Sequence, residues 1–435
     1  MSGILIAAPA SGSGKTTITL GLLRALKRAG HALAPGKAGP DYIDPAFLAA
    51  ASGETCLNFD PWAMRPELIL ANAALHRSGG RTLVIEAMMG LFDGAADGTG
   101  SAADLASMLG LSVVLVVDCA RTSHSIAALV KGFADFRSGV LVVGTILNRV
   151  GSDRHETMLR EALDAIRIPV LGVIRSDAVL ALPERHLGLV QAAENANLEE
   201  FIEHAANAVT KGCDLDTLMK AGGRSPDRES EANITRLPPL GRKIAVARDE
   251  AFAFCYDHML LGWRRRGAEI SFFSPLADEA PATEADAIYL PGGYPELHAG
   301  RISAASNFRA AMGKAANASV KIYGECGGYM VLGDALTDAG GQEHAMLGLL
   351  PLKTSFAQRK RHLGYRRLKP LVGDFFAHAM TGHEFHYSTA VFEGDAERLF
   401  AVEDALGENL GQAGLRRGSV AGSYMHLIDV MGEGA

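Results

Sequence analysis

The chain has 435 residues, more than one hydrophobic core accommodates, and this length fits two domains of about 150–250 residues. Hydrophobic residues make up 48% and charged residues 21%, which is typical of a folded α/β protein and argues against disorder. The net charge of −7 disfavours nucleic acid as a partner, because such partners usually require a basic face.

Short apolar runs alternate with amphipathic stretches through the first half of the chain. The apolar runs, typical of strands inside a parallel sheet, are Ile4–Ala8, Thr82–Glu86, Val113–Asp118, Val140–Leu147 and Val170–Ile174. The amphipathic patterns between them predict helices at Thr16–Ala29, Ser123–Phe136 and Arg154–Ile166. This alternation predicts a doubly wound, parallel-sheet α/β domain over residues 1–211.

A polar stretch rich in turn residues interrupts the alternation at residues 212–242 and contains the pair Pro238–Pro239. We predict that it is a linker between domains. A second alternation follows, with strand-like runs at Lys243–Ala247, Glu269–Phe273, Ala287–Leu290 and Val320–Tyr323. Residues 243–435 are therefore predicted to form a second α/β domain.

A glycine-rich turn stands directly between the first strand-like run and the first helical pattern. Backbone N–H groups of such a loop bind phosphate oxygens, while Lys15 reaches the terminal phosphates and Thr16 offers a hydroxyl to Mg²⁺. The turn departs from the P-loop pattern at Pro9, where glycine is usual. Asn148, at the end of another apolar run, either reads an adenine edge or is structural, and Arg149 follows it. The predicted ATP site also includes Ser11, Gly12, Ser13, Gly14 and Thr17.

Acidic residues follow where metal and substrate chemistry would need them. Glu86 ends a predicted strand at the ligand edge of the sheet, where a carboxylate can hold the Mg²⁺ that bridges ATP phosphates. Asp41, Asp44 and Asp93 stand in loops beside proline or glycine, and turn chemistry is an alternative explanation for all three. We predict Thr16, Glu86 and Asp41 as metal ligands.

A second reactive position is Cys326, which stands between a predicted strand and a helix-like run and is flanked by glycines. Glycines permit a strained elbow that projects the thiol, and we expect the helix N-terminus to lower its pKa. Backbone N–H groups of Gly292, Gly293 and Gly327 are candidates for an oxyanion hole. His426 follows the final predicted strand and is the candidate base, although a single histidine among 14 is more often structural.

Two other clusters carry weaker signals. His383-Glu-Phe-His386 lacks H-E-x-x-H spacing and looks like a strand, which disfavours a metal site. The run Arg359-Lys-Arg-His362 is either a solvated surface or a receiver for an anion. The five cysteines form no C-x-x-C pair, and no apolar run reaches the roughly 20 residues that span a bilayer. We therefore expect a cytoplasmic protein without a membrane partner.

Five motifs together resemble a known family: Ser11-Gly-Ser-Gly-Lys-Thr-Thr17, Lys37-Ala-Gly-Pro-Asp-Tyr-Ile-Asp-Pro45, Glu86-Ala-Met-Met-Gly-Leu-Phe-Asp-Gly94, Leu290-Pro-Gly-Gly-Tyr-Pro-Glu296 and Gly324-Glu-Cys-Gly-Gly-Tyr329. The chain is similar to the corrinoid a,c-diamide synthases of cobalamin biosynthesis, which act on cobyrinic or hydrogenobyrinic acid. The resemblance implies an N-terminal domain similar to dethiobiotin synthetase and a C-terminal class I glutamine amidotransferase domain.

The same resemblance assigns roles to residues. It implies that Cys326 is the nucleophile and that His426 activates it. Ordinary class I domains place a glutamate two residues after this histidine, but Ile428 stands there, so the third group of the site is left open. It further implies that Lys15, Thr16 and Glu86 hold ATP and Mg²⁺, that Asn148 lies near adenine, and that Asp41, Tyr42, Asp44 and Asp93 face the activated carboxylate.

The function that the resemblance implies is amidation of the a and c acetate carboxylates of hydrogenobyrinic acid, through an acyl phosphate and ammonia released from glutamine. Cobyrinic acid and other tetrapyrroles are alternative substrates. A P-loop ATPase switch is an alternative of another class, and Ala10 disfavours it because the deviant P-loops of such switches carry a lysine there. The oligomeric state is open, with a homodimer among the alternatives.

Overall fold

The computed structural model describes residues 2–180, 184–185, 188–189, 197–224, 234–373 and 375–432. The chain divides into two compact units. The first comprises Met1–Trp62 and Pro66–Ile234, and the second comprises Ala63–Arg65 and Thr235–Ala435.

The first unit is built on a sheet of β-strands separated by helices. Its strands are β1 Ser2–Ala7, β2 Leu33–Ala38, β3 Leu57–Phe59, β4 Thr82–Glu86, β5 Ser112–Asp118, β6 Val142–Val150, β7 Val170–Arg175, β8 Glu184–Arg185, β9 Gly188–Leu189 and β10 Gly223–Arg224. Its helices are α1 Lys15–Arg28, α2 Asp44–Ser52, α3 Pro66–His76, α4 Ala102–Leu109, α5 Ile126–Asp135, α6 Asp153–Asp164, α7 Leu198–Gly212 and α8 Leu215–Lys220.

The main sheet of this unit has the strand order β3-β2-β4-β1-β5-β6-β7, with these neighbours parallel and β10 antiparallel beside β1. The strands are nearly continuous apolar runs because helices cover both faces of a doubly wound sheet. The carboxyl ends of parallel strands meet at one edge, which brings the loops after β1, β2, β4 and β6 together there. The predicted fold class is confirmed.

The second unit combines a parallel half-sheet with a long antiparallel extension. Its strands are β11 Lys243–Ala247, β12 Glu269–Phe273, β13 Ala287–Leu290, β14 Lys321–Glu325, β15 Ala335–Thr337, β16 Glu343–Ala345, β17 Leu352–Ser355, β18 His362–Pro370, β19 Met380–His386, β20 Thr389–Glu393, β21 Glu397–Asp404, β22 Asn409–Arg417, β23 Val420–Ser423 and β24 Met425–Val430. Its helices are α9 Asp257–Arg265, α10 Ala299–Ala304, α11 Ser306–Asn317 and α12 Gly327–Leu332.

The larger sheet of this unit has the order β12-β11-β13-β14-β23-β22-β21-β18-β19-β24, and a smaller sheet has the order β16-β15-β17-β20. Strands β12 to β23 in this order are parallel, and the remainder are antiparallel. Although β24 is last in the order, Leu427 N on this strand donates to Glu325 Oε1 at the end of β14, 3.2 Å away. The sheet therefore curls until its last strand approaches the centre of its parallel half.

The stretch predicted as a linker, 212–242, contains regular structure. Residues 212–224 complete α7 and form α8 and β10, which belong to the first unit because β10 pairs with β1. Residues 225–233 lie outside the described residues. Within the described parts of the chain, no helix has both the length and the apolar composition needed to cross a membrane.

Candidate active sites

The phosphate loop connects β1 to α1 and is braced from β6. Gly14 caps α1 with a φ of 86°, and a methyl group added to it would lie 2.3 Å from Asn148 Nδ2. The Asn148 amide donates to Ser13 O at 2.9 Å, and Arg149 Nη1 donates to Gly12 O at 3.1 Å. Glycine is thus required at position 14, and the structure places Asn148 and Arg149 against the loop backbone.

At the start of α1, two side chains point toward the end of β4. Lys15 Nζ donates to Met89 O at 2.7 Å, and Thr16 Oγ1 donates to Glu86 Oε1 at 2.7 Å. Glu86 is fully buried, and its Oε2 atom has no hydrogen-bond partner among the described residues. Burial raises the pKa of Glu86 and lowers that of Lys15. A buried carboxylate oxygen beside a phosphate loop and a hydroxyl is a donor set that suits Mg²⁺.

Lys37, at the end of β2, is a site residue that sequence reasoning missed. Its buried Nζ contacts Asp44, lies 3.1 Å from Glu86 Oε1 and lies 3.7 Å from Asp41 Oδ2. Burial opposes its charge, but Asp44, Glu86 and Asp41 together raise its pKa well above the usual value. The ammonium group thus ties two loops of the sheet edge together. Its position at the end of a strand, inside a motif already singled out, was the available signal.

The predicted acidic loop residues combine turn chemistry with proximity to this cluster. Asp41 Oδ1 accepts from the backbone N–H groups of Ile43 and Asp44 at 2.8 and 3.0 Å. Burial and the neighbouring Asp44 raise the pKa of Asp41 to about 7. Asp93 Oδ2 accepts from Gly90 N at 2.9 Å, and Tyr42 is half-buried in the loop with Asp41.

The remaining residues of the predicted ATP site occupy the loop and the first turn of α1. Ser11 and Gly12 are exposed, and the Ser13 hydroxyl donates to Ala10 O at 2.8 Å, which closes the loop. Thr17 Oγ1 donates to Leu180 O at 3.2 Å. Thr17 therefore anchors the outer side of the helix, while Thr16 faces the carboxylate cluster.

In the second unit, Cys326 forms the elbow between β14 and α12. Its φ and ψ angles are 47° and −103°, a conformation that costs about 1–3 kcal/mol for a residue with a side chain. The turn is held by Cys326 N donating to Ser423 O at 2.8 Å and Gly328 N donating to Pro291 O at 3.0 Å. A methyl group on Gly327 would lie 2.9 Å from Gly293 N, so these two candidate oxyanion-hole glycines are adjacent.

His426 is brought to the same place by β24. A methyl group on Gly292 would lie 2.3 Å from His426 Cε1 and 3.3 Å from Cys326 Cβ. Gly292 therefore occupies the narrow space beside both the thiol and the imidazole, where no larger residue fits. The structure thus brings Cys326, His426 and the predicted oxyanion-hole glycines together.

The predicted lowering of the Cys326 pKa is wrong as a net effect, although the N-terminus of α12 does contribute in the expected direction. Burial raises the pKa of Cys326, the charges of Glu296, Glu325 and Glu384 raise it further, and a backbone hydrogen bond from Gly327 only partly offsets them. Burial likewise lowers the pKa of His426 well below its usual value. The resting site therefore holds a neutral thiol and a neutral imidazole.

Two buried glutamates near the thiol were missed by sequence reasoning. Glu325, directly before the nucleophile, has Oε2 at 3.7 Å from His426 Nδ1. Glu296, in a one-turn helix at Pro295–Leu297, is 9% exposed, and its Oε2 has no hydrogen-bond partner among the described residues. Burial raises the pKa of Glu296 to about 7, and the charge of Arg359 lowers it. Both residues lie inside quoted motifs, but only folding shows what they face.

The His383–His386 run, where the sequence disfavours a metal site, lies beside His362. His362, Glu384 and His386 converge, but Glu384 Oε1 lies 2.9 Å from His386 Nε2 and its Oε2 lies 2.7 Å from Arg366 Nη2. Although burial opposes its charge, the His386 hydrogen bond and the charges of His386 and Arg366 lower the pKa of Glu384 to about 2. The Arg366 guanidinium already pairs with the carboxylate, and its positive charge would oppose a metal ion at this group.

The fold and the two sites define a class: a nucleotide-binding synthetase unit joined to a cysteine-dependent glutamine amidotransferase unit. Residues 4–190 match the model of the CobQ/CobB/MinD/ParA nucleotide binding domain, and residues 243–430 match that of the CobB/CobQ-like glutamine amidotransferase domain. The chain is thus an ATP-using, glutamine-dependent amide-forming ligase.

Curated relatives match along the full length. A hydrogenobyrinate a,c-diamide synthase of Sinorhizobium sp is 68% identical over 99% of this chain and 100% of its own. One from Rhizobium meliloti (strain 1021) is 66% identical over 99% of both chains, and one from Rhodobacter capsulatus is 51% identical over 98% of both. The chain belongs to the hydrogenobyrinate a,c-diamide synthase family, and the resemblance drawn from the five motifs is confirmed.

Proposed function

We propose that this chain converts the a and c acetate carboxylates of hydrogenobyrinic acid into amides, using ATP and nitrogen from glutamine. The observation that carries the proposal is the presence of both halves of the chemistry in one chain, a carboxylate-lined phosphate loop and a cysteine elbow. The relatives that match over the full length carry the name of this activity. ATP and glutamine are metabolites of the cytoplasm, which is where we place the reaction.

In the amidotransferase unit, the Cys326 sulfur attacks the side-chain amide carbon of glutamine while His426 accepts the thiol proton. The carbonyl oxygen becomes an oxyanion, and the adjacency of Gly293 and Gly327 supports their N–H groups as its hydrogen-bond donors. His426 then returns the proton to the leaving nitrogen, which departs as ammonia, and water hydrolyses the thioester to glutamate. The ammonia is used at the ATP site.

Recognition of glutamine requires a partner for its α-ammonium group. Glu296 is buried, and its segment lies against the elbow, since Pro295 Cδ would be 2.9 Å from a methyl group on Gly327. We propose that the Glu296 carboxylate receives this ammonium group. A buried carboxylate that has an oxygen without a partner gains the most from such a charged donor.

In the synthetase unit, a carboxylate of the macrocycle attacks the terminal phosphorus of ATP, the bond to the bridging oxygen breaks so that ADP leaves, and the carboxylate becomes an acyl phosphate. Activation is required because a carboxylate has no adequate leaving group, whereas ammonia displaces phosphate readily from the acyl phosphate. Lys15 and the loop N–H groups neutralise the phosphoryl charge. Thr16 and Glu86, with Asp41 nearby, would hold Mg²⁺, which when bound supplies further neutralisation of the phosphates.

The products decide the identity of the substrate. The purified protein is incubated with ATP, Mg²⁺, glutamine and either hydrogenobyrinic acid or its cobalt-containing counterpart, and the products are weighed by mass spectrometry. We expect two successive amidations of the cobalt-free macrocycle. A chain that amidates only the cobalt form, or that leaves both unchanged while hydrolysing ATP, would contradict the proposal.

A further inference from the structure

The amidotransferase unit lacks the glutamate that ordinary class I domains place two residues after the histidine. Ile428 occupies that position, lies at the irregularity in the pairing of β24 with β19, and is 2% exposed. A histidine without an orienting partner is a poor base, because its tautomer is not fixed and the imidazolium that forms is not stabilised. The orienting group for His426 Nδ1 must therefore come from another part of the unit.

Glu325 reaches the same strand from the end of β14. Its Oε2 atom lies 3.7 Å from His426 Nδ1, and its Oε1 atom accepts from Leu427 N, the residue next to the histidine, at 3.2 Å. Glu325 and His426 are 1% and 0% exposed, so water does not compete for this contact. Apo geometry of catalytic groups is often longer than in the substrate complex.

The other contacts of Glu325 prepare its carboxylate to accept hydrogen bonds. The Tyr289 hydroxyl donates to Oε2 at 2.7 Å, and Leu427 N–H can only donate. When Glu325 is ionised its carboxylate can only accept, so it would receive Nδ1–H and leave Nε2 of His426 as the acceptor for the thiol proton.

We propose that Glu325 takes the place of the missing third group: it fixes the tautomer of His426 and stabilises the imidazolium that forms when the Cys326 proton moves to Nε2. Glu325 is then a positioning residue, since it acts on the thiol through the histidine. This inference rests on the proposed glutaminase reaction. The acid that orients the base would then stand directly before the nucleophile in the sequence, and not two residues after the base as in ordinary class I domains.

The charge of Glu325, and therefore its effect on His426, depends on pH. Burial raises its pKa to about 8, so the carboxylate accumulates as the pH rises through that value and is lost below it. The charges of His383 and His386 act on the pKa of His426, and the Glu325 charge in turn raises the pKa values of Tyr289, Tyr323, Cys255 and Cys326. Of these, Tyr289 holds the carboxylate directly.

The main test is Glu325→Gln, which keeps the shape and removes the charge. We expect kcat for glutamine hydrolysis to fall about 10²–10⁴-fold with KM for glutamine unchanged, as when a triad acid becomes an amide. Synthesis supported by added ammonia should persist, because it needs only the synthetase unit, and cooperative denaturant unfolding of the second unit checks that the variant is folded. The pH profile of kcat should lose the rise near pH 8 that ionisation of Glu325 imposes, because the amide has no proton to lose. A folded Glu325→Gln protein with wild-type kcat and pH profile would overturn the proposal.

A second pair of variants, with smaller changes, tests the proposal even if Glu325→Gln does not fold. Tyr289→Phe removes only the hydroxyl that stabilises the Glu325 carboxylate, while Tyr323→Phe removes a hydroxyl from an equally buried ring that stacks on Tyr289 and makes no hydrogen bond to Glu325 among the described residues. We expect Tyr289→Phe to lower kcat and to move the rise in its pH profile to higher pH, and Tyr323→Phe to do neither. Equal behaviour of the two variants would overturn the inference. Glutamine hydrolysis that survives Cys326→Ala would instead refute the underlying glutaminase proposal.

Discussion

The nucleophile and the base both rest uncharged, because each is buried where an ion is poorly solvated. Proton transfer between them is therefore a step that substrate binding must make favourable, since it creates a thiolate and an imidazolium together. An oxyanion hole and a carboxylate near the imidazole both stabilise charges that appear only during the reaction. The site thus avoids a reactive thiolate when glutamine is absent.

Replacement of the nucleophile separates the two activities. We expect Cys326→Ala to abolish synthesis from glutamine and to leave synthesis from added ammonia near the wild-type rate, because only the thioester step is lost. Amide formation with each nitrogen source is the measurement. A folded variant that had lost both activities would contradict this division of labour.

Replacement of Glu86 should have the opposite effect, with loss of the ATP-dependent step and retention of glutamine hydrolysis. Because Glu86 Oε2 is buried beside Thr16 with no hydrogen-bond partner in the described part of the chain, we expect Glu86→Gln to lower ATP-dependent amidation about 10²-fold or more, while glutamine hydrolysis continues. Release of phosphate and of glutamate are measured separately. Glu161→Gln on the exposed side of α6 serves as the control and should change neither.

Glu296 predicts a pH dependence of glutamine binding. Its pKa is raised to about 7 by burial, so the charged form that binds the α-ammonium group is present above that pH and is lost as the pH falls through it. We expect KM for glutamine to rise as the pH falls below 7, separately from the effect of Glu325 on kcat. Glu296→Gln should raise KM about tenfold or more and remove this pH dependence of KM, without affecting synthesis from ammonia. An unchanged KM would count against the role.

At the level of elements, the elbow depends on close backbone contacts rather than on side chains. A methyl group on Gly328 would lie 1.9 Å from Leu290 O, whereas one on Gly313 of α11 would meet nothing within 4 Å. We expect Gly328→Ala to destabilise the second unit by about 3 kcal/mol or more and to impair glutamine hydrolysis. Gly313→Ala should be neutral or stabilising by about 0.5–1 kcal/mol. Denaturant titrations of both variants measure this difference.

The elements that sequence predicts well are those with a strong local signal. Thr82–Glu86 and Lys243–Ala247 are continuous apolar runs and were predicted with their observed bounds. β2 was missed because Pro35 and Gly36 interrupt its apolar pattern, and its place in the sheet comes from pairing with β3 and β4. Lys37 was missed with it. Glu325 was hidden for a similar reason, since its partner His426 is 101 positions later and approaches only because the sheet curls.

At the level of the whole molecule, the second unit includes the short segment Ala63–Arg65. Arg65 Nε and its backbone N–H donate to Asp429 Oδ2 at 3.0 and 2.9 Å, and Asp429 is fully buried. The Thr381 hydroxyl also donates to Ala63 O. A buried carboxylate left without its cation is strongly destabilising.

We expect Arg65→Met to lower the free energy of unfolding of the second unit by about 3 kcal/mol, because Asp429 would be left unpaired in the interior. Adding Asp429→Asn should recover part of the loss. Lys353→Met, which breaks an exposed pair with Glu343, should cost less than about 1 kcal/mol. Thermal and denaturant unfolding of the three variants tests whether the buried pair contributes this much to the free energy of unfolding.

This discontinuity matters to anyone who wishes to produce the amidotransferase half separately. A gene cut between Ile234 and Thr235 would yield a polypeptide that retains Asp429 but has lost its guanidinium partner and three residues of its own fold. Such a fragment should aggregate or need rescue, either by Asp429→Asn or by a peptide that carries Ala63–Arg65 supplied in trans. The amidotransferase unit is therefore not encoded by one continuous stretch of sequence, because three of its residues lie within the sequence of the first unit.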